Sequence, residues 1–402
     1  MHTDNLKDGV HTRIQALLNR VETLKADNLY FYNMPVSEVE GSVTVKVGGR
    51  RMLMFASYGY LGLLGHPRIN AAARAGVERY GTGTHGVRLL AGTLDLHHEL
   101  EQTIAEFTHT ESVVTFSSGY VTNLAAISAL IGRHDLVLCD KYDHASIVDG
   151  CLLSGAELKR FRHNDMDHLE TLLKQHRDHQ TTLVVVDSVF SMDGDIIDLP
   201  RTVELCSHYG ARLMVDEAHS IGVLGKSGRG IEEHFGMQNS VDIKMGTLSK
   251  TIPSVGGYIA SSHEMVNLLK HAARGFIFSA ALPPPQAAAA KAAFDVITDE
   301  PERIKRVQEN AELFISSLNM MGFNTLQSET AIVPILCGQE RTAFQMVRIC
   351  QEGNIFVLPV VSPAVPEGMA RLRATVTAGH TKTQIKEALA VFEQAGKQVG
   401  LI

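Results

Sequence analysis

Short apolar runs recur between longer stretches of mixed, helix-like sequence from about residue 110 to residue 260. They are Ser112-Val113-Val114-Thr115-Phe116, Leu136-Val137-Leu138-Cys139, Leu183-Val184-Val185-Val186, Arg212-Leu213-Met214-Val215 and Val241-Asp242-Ile243-Lys244-Met245. Strands of this length alternating with helices predict an α/β domain, a mostly parallel sheet flanked by helices. Upstream, the spacing suggests a leading helix. It is followed by a period-two alternation in Ser42-Val43-Thr44-Val45-Lys46-Val47, a short strand stopped by Gly48-Gly49. Beyond Pro283-Pro284-Pro285, which reads as a hinge or boundary, further strand-like runs are interspersed with helices. These are Ile332-Val333-Pro334-Ile335-Leu336, Ile355-Phe356-Val357-Leu358 and Leu372-Arg373-Ala374-Thr375-Val376, and a last helix runs from about Thr381 to Val399. The expected organisation is an amino-terminal arm over 1–55, a large α/β domain over 56–285 and a smaller carboxyl-terminal α+β domain over 286–402.

With 402 residues, 45% of them hydrophobic, the chain can bury a large core in more than one structural domain. Its 44 acidic residues outnumber 37 basic ones, and no basic block is present to track a nucleic-acid backbone. The five cysteines form no C-x-x-C pair and are odd in number, which points to reduced, buried thiols. Residues 1–7 hold no apolar signal-peptide core, and no run approaches the roughly 18 residues of a membrane span. A cytoplasmic enzyme is the expectation.

In open α/β sheets, ligands gather beyond the carboxyl ends of the strands. Two segments stand at such ends: Val215-Asp216-Glu217-Ala218-His219 and Gly246-Thr247-Leu248-Ser249-Lys250. A pyridoxal phosphate site needs an amine for a Schiff base, a hydroxyl for the phosphate, and a buried carboxylate that keeps the pyridine nitrogen protonated. Lys250, Thr247 and Asp216 supply these groups. Ser118, Gly119 and Tyr120 follow a strand and open a helix, where successive N–H groups could cradle a phosphate, although Ser-Ser-Gly alone reads as a plain turn. His144, in Tyr142-Asp143-His144-Ala145-Ser146, could stack on a planar cofactor, and His219 could reach its phenolic oxygen. A lone histidine among 19 is more often structural, and only the company of these two raises them above that reading.

Other motifs fail on context. Gly81-Thr82-Gly83-Thr84-His85-Gly86 matches a dinucleotide fingerprint but follows a helix-like stretch instead of a strand. Gly225-Lys226-Ser227 has Ser220 where a P-loop requires glycine, and the same stretch lacks the closing glycine of a nucleophile elbow. His97-His98-Glu99 lacks the second histidine of a zinc motif. No catalytic metal is expected.

Taken in order, Tyr60-Leu61-Gly62-Leu63, Phe116-Ser117-Ser118-Gly119-Tyr120, His144-Ala145-Ser146, His163-Asn164-Asp165, Ser191-Met192-Asp193-Gly194, Asp216-Glu217-Ala218-His219, Thr247-Leu248-Ser249-Lys250 and Phe278-Ser279 resemble the α-oxoamine synthases. The tail from Arg371-Leu372-Arg373 to Ala378-Gly379-His380-Thr381 is also similar to theirs, so the resemblance spans nearly the whole chain. That family comprises fold type I pyridoxal phosphate-dependent transferases. The resemblance implies that Lys250 carries the cofactor as a Schiff base, Asp216 pairs with the pyridinium nitrogen, His144 stacks on the ring and His219 contacts its oxygen. Ser191 would lie near the same oxygen or the substrate. Gly119, Tyr120 and Thr247, with Ser118 beside them, would hold the phosphate, and Ser279 would reach the phosphate of a neighbouring subunit in a twofold homodimer.

The implied reaction condenses a small amino acid (glycine, alanine or serine) with an acyl thioester of coenzyme A or an acyl carrier protein. It releases carbon dioxide and free thiol and leaves an α-amino ketone. Arg373 would grip the amino-acid carboxylate, with Arg371 the second choice. Aminotransfer or retro-aldol cleavage on the same scaffold is the alternative. Tyr58 resembles the serine palmitoyltransferase branch and Val87 the glycine C-acetyltransferase branch, both as substrate contacts. Gly59 replaces an asparagine of the first branch, and Ala280 stands where relatives often carry threonine, which removes a phosphate contact.

Overall fold

The computed structural model describes residues 9–176 and 178–402. Seven strands form the central sheet in the order Ser112–Phe116, Gly257–Ser261, Ile243–Thr247, Arg212–Asp216, Thr182–Asp187, Leu136–Asp140 and Glu157–Phe161. Gly257–Ser261 runs antiparallel to both neighbours, and all other pairs are parallel. Side-chain alternation divides the core between the two faces of this sheet. Leu136, Leu138, Val184 and Val186 join one apolar cluster, and Val137, Cys139, Leu183 and Val185 join the other. Burial on both faces is why these strands read as continuous apolar runs.

Two strands of the sheet lack that signature. Glu157–Phe161 lies at the sheet edge and carries Glu157, Lys159 and Arg160, charges that protect an unpaired strand edge. Gly257–Ser261 is fully buried but begins with glycine and ends with serine, so its apolar run is short.

Three more strands, Ile332–Gly338, Ala370–Thr375 and Pro359–Val360, form a separate antiparallel sheet. Residues 355–358, expected as one strand, are divided. Ile355–Phe356 pairs in parallel with Arg50–Met54 in a four-stranded sheet, while the backbone turns at Pro359 to join Ala370–Thr375. The amino-terminal arm and the carboxyl-terminal region therefore share one sheet. The proline run begins the helix Pro284–Asp299, whose first turn tolerates proline because its N–H groups have no intrahelical acceptor. That helix packs on Pro67–Tyr80 and Asp95–Thr108.

Backbone hydrogen bonds from Thr375 N to Phe55 O and from Ala378 N to Tyr60 O tie residues 55–60 to the strand that carries Arg371 and Arg373. This junction sets Tyr58, Tyr60 and Arg373 opposite the carboxyl ends of the central strands. All five cysteines are free and buried. Among the described residues, no helix is long and apolar enough to cross a membrane.

Candidate active site

Adjacent parallel strands deliver Asp187, Asp216 and Thr247 to one rim of the sheet. They line a cavity of about 260 Å3 together with Ser118, Gly119, Tyr120, Asn123, His144, His219 and Lys250. Expected cofactor residues from four separate stretches of sequence thus converge on one place, whereas Ser191 and Ser279 do not line it.

Lys250 Nζ lies 2.8 Å from His219 Nε2, and His219 Nδ1 lies 2.6 Å from the Tyr60 hydroxyl. Burial, reinforced by the charges of Lys250 and Arg373, holds the His219 pKa well below its usual value, so the ring is neutral. A neutral ring that accepts from Lys250 at Nε2 donates from Nδ1 to Tyr60. Arg373 Nη2 approaches the same phenolic oxygen at 3.4 Å. Burial raises the Tyr60 pKa to about 12, against the opposing charge of Arg373. For Lys250, burial lowers the pKa to about 8 even though Asp216 and Asp187 favour its charged form. An amine so poised can exchange a proton near neutral pH.

Asp216 is buried, and it accepts hydrogen bonds from Asn123 Nδ2 at 2.8 Å and from Ala218 N at 2.9 Å. Asn123 also donates to Ser146 Oγ at 2.9 Å. His144 caps the helix Ala145–Ser154, with Nδ1 2.7 Å from Ser146 Oγ. Burial depresses its pKa, which favours an uncharged ring.

The residues fit pyridoxal phosphate on structural grounds. Ser118 caps the 12-residue helix Gly119–Leu130 by accepting from Val121 N at 3.2 Å. The N–H groups of Gly119 and Tyr120 then have no acceptor within the helix. A Cβ at Gly119 would stand only 2.8 Å from Thr247 Oγ1, so glycine is what allows the helix start to approach that hydroxyl. The site therefore combines a bare backbone cradle for an anion with an adjacent hydroxyl, a buried carboxylate and a desolvated amine.

The structure separates the two arginine candidates. Arg371 is committed to Asp193 Oδ1 at 2.9 Å and to Met192 O at 3.2 Å. Arg373 donates to Ser191 O at 2.6 Å and Thr375 Oγ1 at 3.1 Å, lies over the Tyr58 ring at 4.6 Å, and reaches into the Tyr60–His219–Lys250 chain. Ser191 thus meets Arg373 through its carbonyl and is not among the residues lining the Lys250 cavity. Tyr120 bonds Asp149 through its hydroxyl. Ser279 Oγ lies 3.3 Å from Ser117 Oγ of the same chain. Val87 forms an isolated bridge with Ala280, outside the lining of the Lys250 cavity.

Tyr60, Asn123 and Asp187 belong to this cluster but were not singled out from sequence. Asp187 carries the same signal as Asp216, a carboxylate directly after an apolar strand. Asn123 has none, being one polar position in a helix that is otherwise largely apolar.

Behind the cavity, His163 sits between Asp140 Oδ1 and Asp195 Oδ2, each 3.0 Å away. Burial opposes its charge, but the two carboxylates outweigh that and raise its pKa to about 10. Because the unfolded value is about 6.5, this contribution to stability is complete below that pH and is lost as pH rises towards 10. Comparing melting temperatures of wild type and His163→Gln should therefore give the largest gap near pH 6, narrowing steadily by pH 10. A gap independent of pH would rule out the charged pairing. Among the described residues, one cluster of potential metal ligands, Glu157, His176 and His179, lies at the sheet edge, where Lys159 already pairs with Glu157 at 2.9 Å.

Residues 50–392 match the profile of the aminotransferase class I and II family. The chain belongs to that family and, within it, to the α-oxoamine synthases, fold type I pyridoxal phosphate-dependent acyltransferases. The 8-amino-7-oxononanoate synthase of Geobacter sulfurreducens is 44% identical over 391 residues, covering 96% of this chain and 100% of the relative. That of Symbiobacterium thermophilum is 43% identical, covering 96% and 98%. Among solved structures, a serine palmitoyltransferase from S. paucimobilis with bound PLP–myriocin aldimine superposes with a TM-score of 0.95 at 34% identity, covering 97% of this chain and 99% of the other.

Proposed function

We propose that the chain is an 8-amino-7-oxononanoate synthase. One observation carries this reading: two relatives bearing that name are 43–44% identical to it across nearly the full length of both chains. The product name discloses the substrates. An amine on carbon 8 with a terminal methyl at carbon 9 is what alanine leaves after losing its carboxylate. Carbons 1 to 7, with a ketone at carbon 7, are a seven-carbon dicarboxylic acyl group delivered as a thioester. The sequence-level choice among glycine, alanine and serine thereby narrows to alanine.

Bound pyridoxal phosphate supplies an electron sink for the negative charge that develops on the amino-acid carbon. Lys250 Nζ would hold the cofactor and would take and return the proton at that carbon; its lowered pKa suits both directions. Asp216 holds the pyridine proton, with its carboxylate oriented by Asn123 and Ala218 N. The flat ring of His144 would pack on the cofactor, and neutral His219, with its Nδ1–H engaged by Tyr60, would turn the acceptor Nε2 towards the phenolic oxygen. The N–H groups of Gly119 and Tyr120, with Ser118 and the Thr247 hydroxyl, hold the phosphate. Arg373 binds the alanine carboxylate as a planar fork, with Tyr58 stacked beneath it.

Homodimer formation is part of the proposal. The Val87–Ala280 bridge brings together segments on which Leu90 is 80% and Phe278 71% exposed, an apolar patch suited to a second copy. Ser279 lies on one of these segments, at the place from which it would serve the partner's site. Val87 lies on the other and would meet substrate only across that interface. The acyl group can arrive on coenzyme A or on an acyl carrier protein.

The deciding experiment crosses alanine, glycine and serine with seven-carbon dicarboxylic, acetyl and palmitoyl thioesters on both carriers, read by free thiol and carbon dioxide. Turnover should be strongest with alanine and the seven-carbon donor. The superposition on serine palmitoyltransferase and the presence of Tyr58 support a second reading, for which serine with the palmitoyl donor would be the active pair. Product formation without thiol release would instead indicate aminotransfer or retro-aldol chemistry. In the same assay Arg373→Ala should raise the alanine KM by about 100-fold with a smaller effect on kcat, the scale of losing a charged hydrogen-bonded pair. An unchanged KM would remove Arg373 from the carboxylate site.

A further inference from the structure

Asp187 and Asp216 are partners in the parallel register of adjacent strands, so their side chains leave the sheet on the same face, about 4.8 Å apart at the backbone. Both are buried, 2% and 3% exposed, and both line the Lys250 cavity. Their hydrogen-bond partners differ. Asp216 accepts from two donors, Asn123 Nδ2 and Ala218 N. Asp187 Oδ2 accepts from His144 N at 2.8 Å, and the Asp187 main chain donates to Asp143 Oδ1, also at 2.8 Å. The charged and titratable groups facing Asp187 are Asp216 on one neighbouring strand, Asp140 on the other, Asp143 and His144 on the turn that follows, and Lys250 across the cavity. His163, the strongest cation nearby, is already shared by Asp140 and Asp195. Among the described residues, Lys250 is thus the one cation facing these two adjacent buried carboxylates, and such a pair does not hold two negative charges.

We propose that Asp187 is a positioning residue for the cofactor, an uncharged carboxylic acid that anchors the His144 main chain and leaves Asp216 as the only negative charge facing the ring. Burial and the charge of Asp216 raise the Asp187 pKa well above its ordinary value, in keeping with this role. The His144 ring follows from its backbone. The N–H held by Asp187 fixes the first residue of the turn that also caps the helix Ala145–Ser154. Losing that anchor would free the ring that packs on the cofactor. The inference rests on the pyridoxal phosphate reading of the site but not on the choice of substrates.

The test uses holoenzyme without amino acid or thioester, so failure of the substrate assignment leaves it intact. Asp187→Asn keeps the acceptor oxygen and is permanently neutral, whereas Asp187→Ala loses the acceptor. The absorbance of the Lys250–cofactor linkage, followed against pH, reports the negative charge around it. With Asp187 uncharged in the wild type, Asp187→Asn should move the midpoint by less than about half a pH unit and bind cofactor as tightly. Asp187→Ala should release cofactor with an affinity about tenfold weaker. A midpoint lowered by about one unit or more in Asp187→Asn would mean that the wild-type group is ionised, and the proposal fails. Wild-type cofactor affinity in Asp187→Ala would remove the positioning role. If Asp187→Ala does not fold, the Asp187→Asn titration still decides the charge, and Asp187→Ser repeats the anchor test with a smaller cavity.

Discussion

Replacing Lys250 with alanine should lower turnover by about 10^4-fold or more, the upper range for loss of a positioned acid–base group, and should abolish the absorbance of the lysine–cofactor linkage. Both effects follow from one atom. Lys250 lines the cavity with Nζ 2.8 Å from His219, desolvated enough to be poised near pH 8. Lys250→Arg separates charge from chemistry, because a guanidinium keeps the positive charge next to Asp216 but neither forms the linkage nor gives up its proton. It should be as inactive as the alanine variant while binding cofactor better. Substantial activity in Lys250→Arg would show that the residue acts only through charge, and the assigned role would be wrong.

Asp216→Asn comes second, with an expected loss of about 10^3-fold in kcat, comparable to removing a preorganised electrostatic partner from a water-excluded site. The amide is nearly the same size, and its oxygen can keep the bond from Ala218 N while its NH2 replaces the oxygen that accepted from Asn123, so folding should be preserved with that one bond lost. What disappears is the charge that keeps a proton on the cofactor ring. Cofactor bound by this variant should show altered absorbance and weaker retention, measured by dialysis. If kcat and spectrum both match wild type, the carboxylate is not the group facing the ring nitrogen.

Strand ends were the informative places in the sequence. Asp216 and Thr247 were readable because a buried apolar run ending in a polar residue has few structural explanations. The same reasoning applied to Val186 and Cys139 would have exposed Asp187 and Asp140, which the known motifs did not cover. Tyr60 was visible only as part of a motif, since an aromatic in an irregular loop carries no periodic signal; its place beside His219 depends on the distant strand Ala370–Thr375. The preference for Arg373 over Arg371 came from the family resemblance and not from local pattern. The two alternate on one strand, and only the position of Asp193 shows which guanidinium is already engaged. In the fold, buried parallel strands were plain, whereas the charged edge strand Glu157–Phe161 resembled surface polypeptide. The pairing of Ile355–Phe356 with Arg50–Met54 joins residues some three hundred apart, a contact that local patterning cannot signal.

That long-range pairing has a mechanical corollary. Residues 50–60 are laced to the carboxyl-terminal strands at Leu53, Phe55 and Tyr60, so Tyr58, Tyr60 and Arg373 travel as one jaw, while Lys250, Asp216 and His144 belong to the other. The Tyr60–His219 hydrogen bond is one latch between them, and the bonds of Arg373 to Ser191 O and of Arg371 to Asp193 and Met192 O are others. Opening the cleft to admit a bulky carrier would break these bonds, all of which lie outside the cradle under the cofactor.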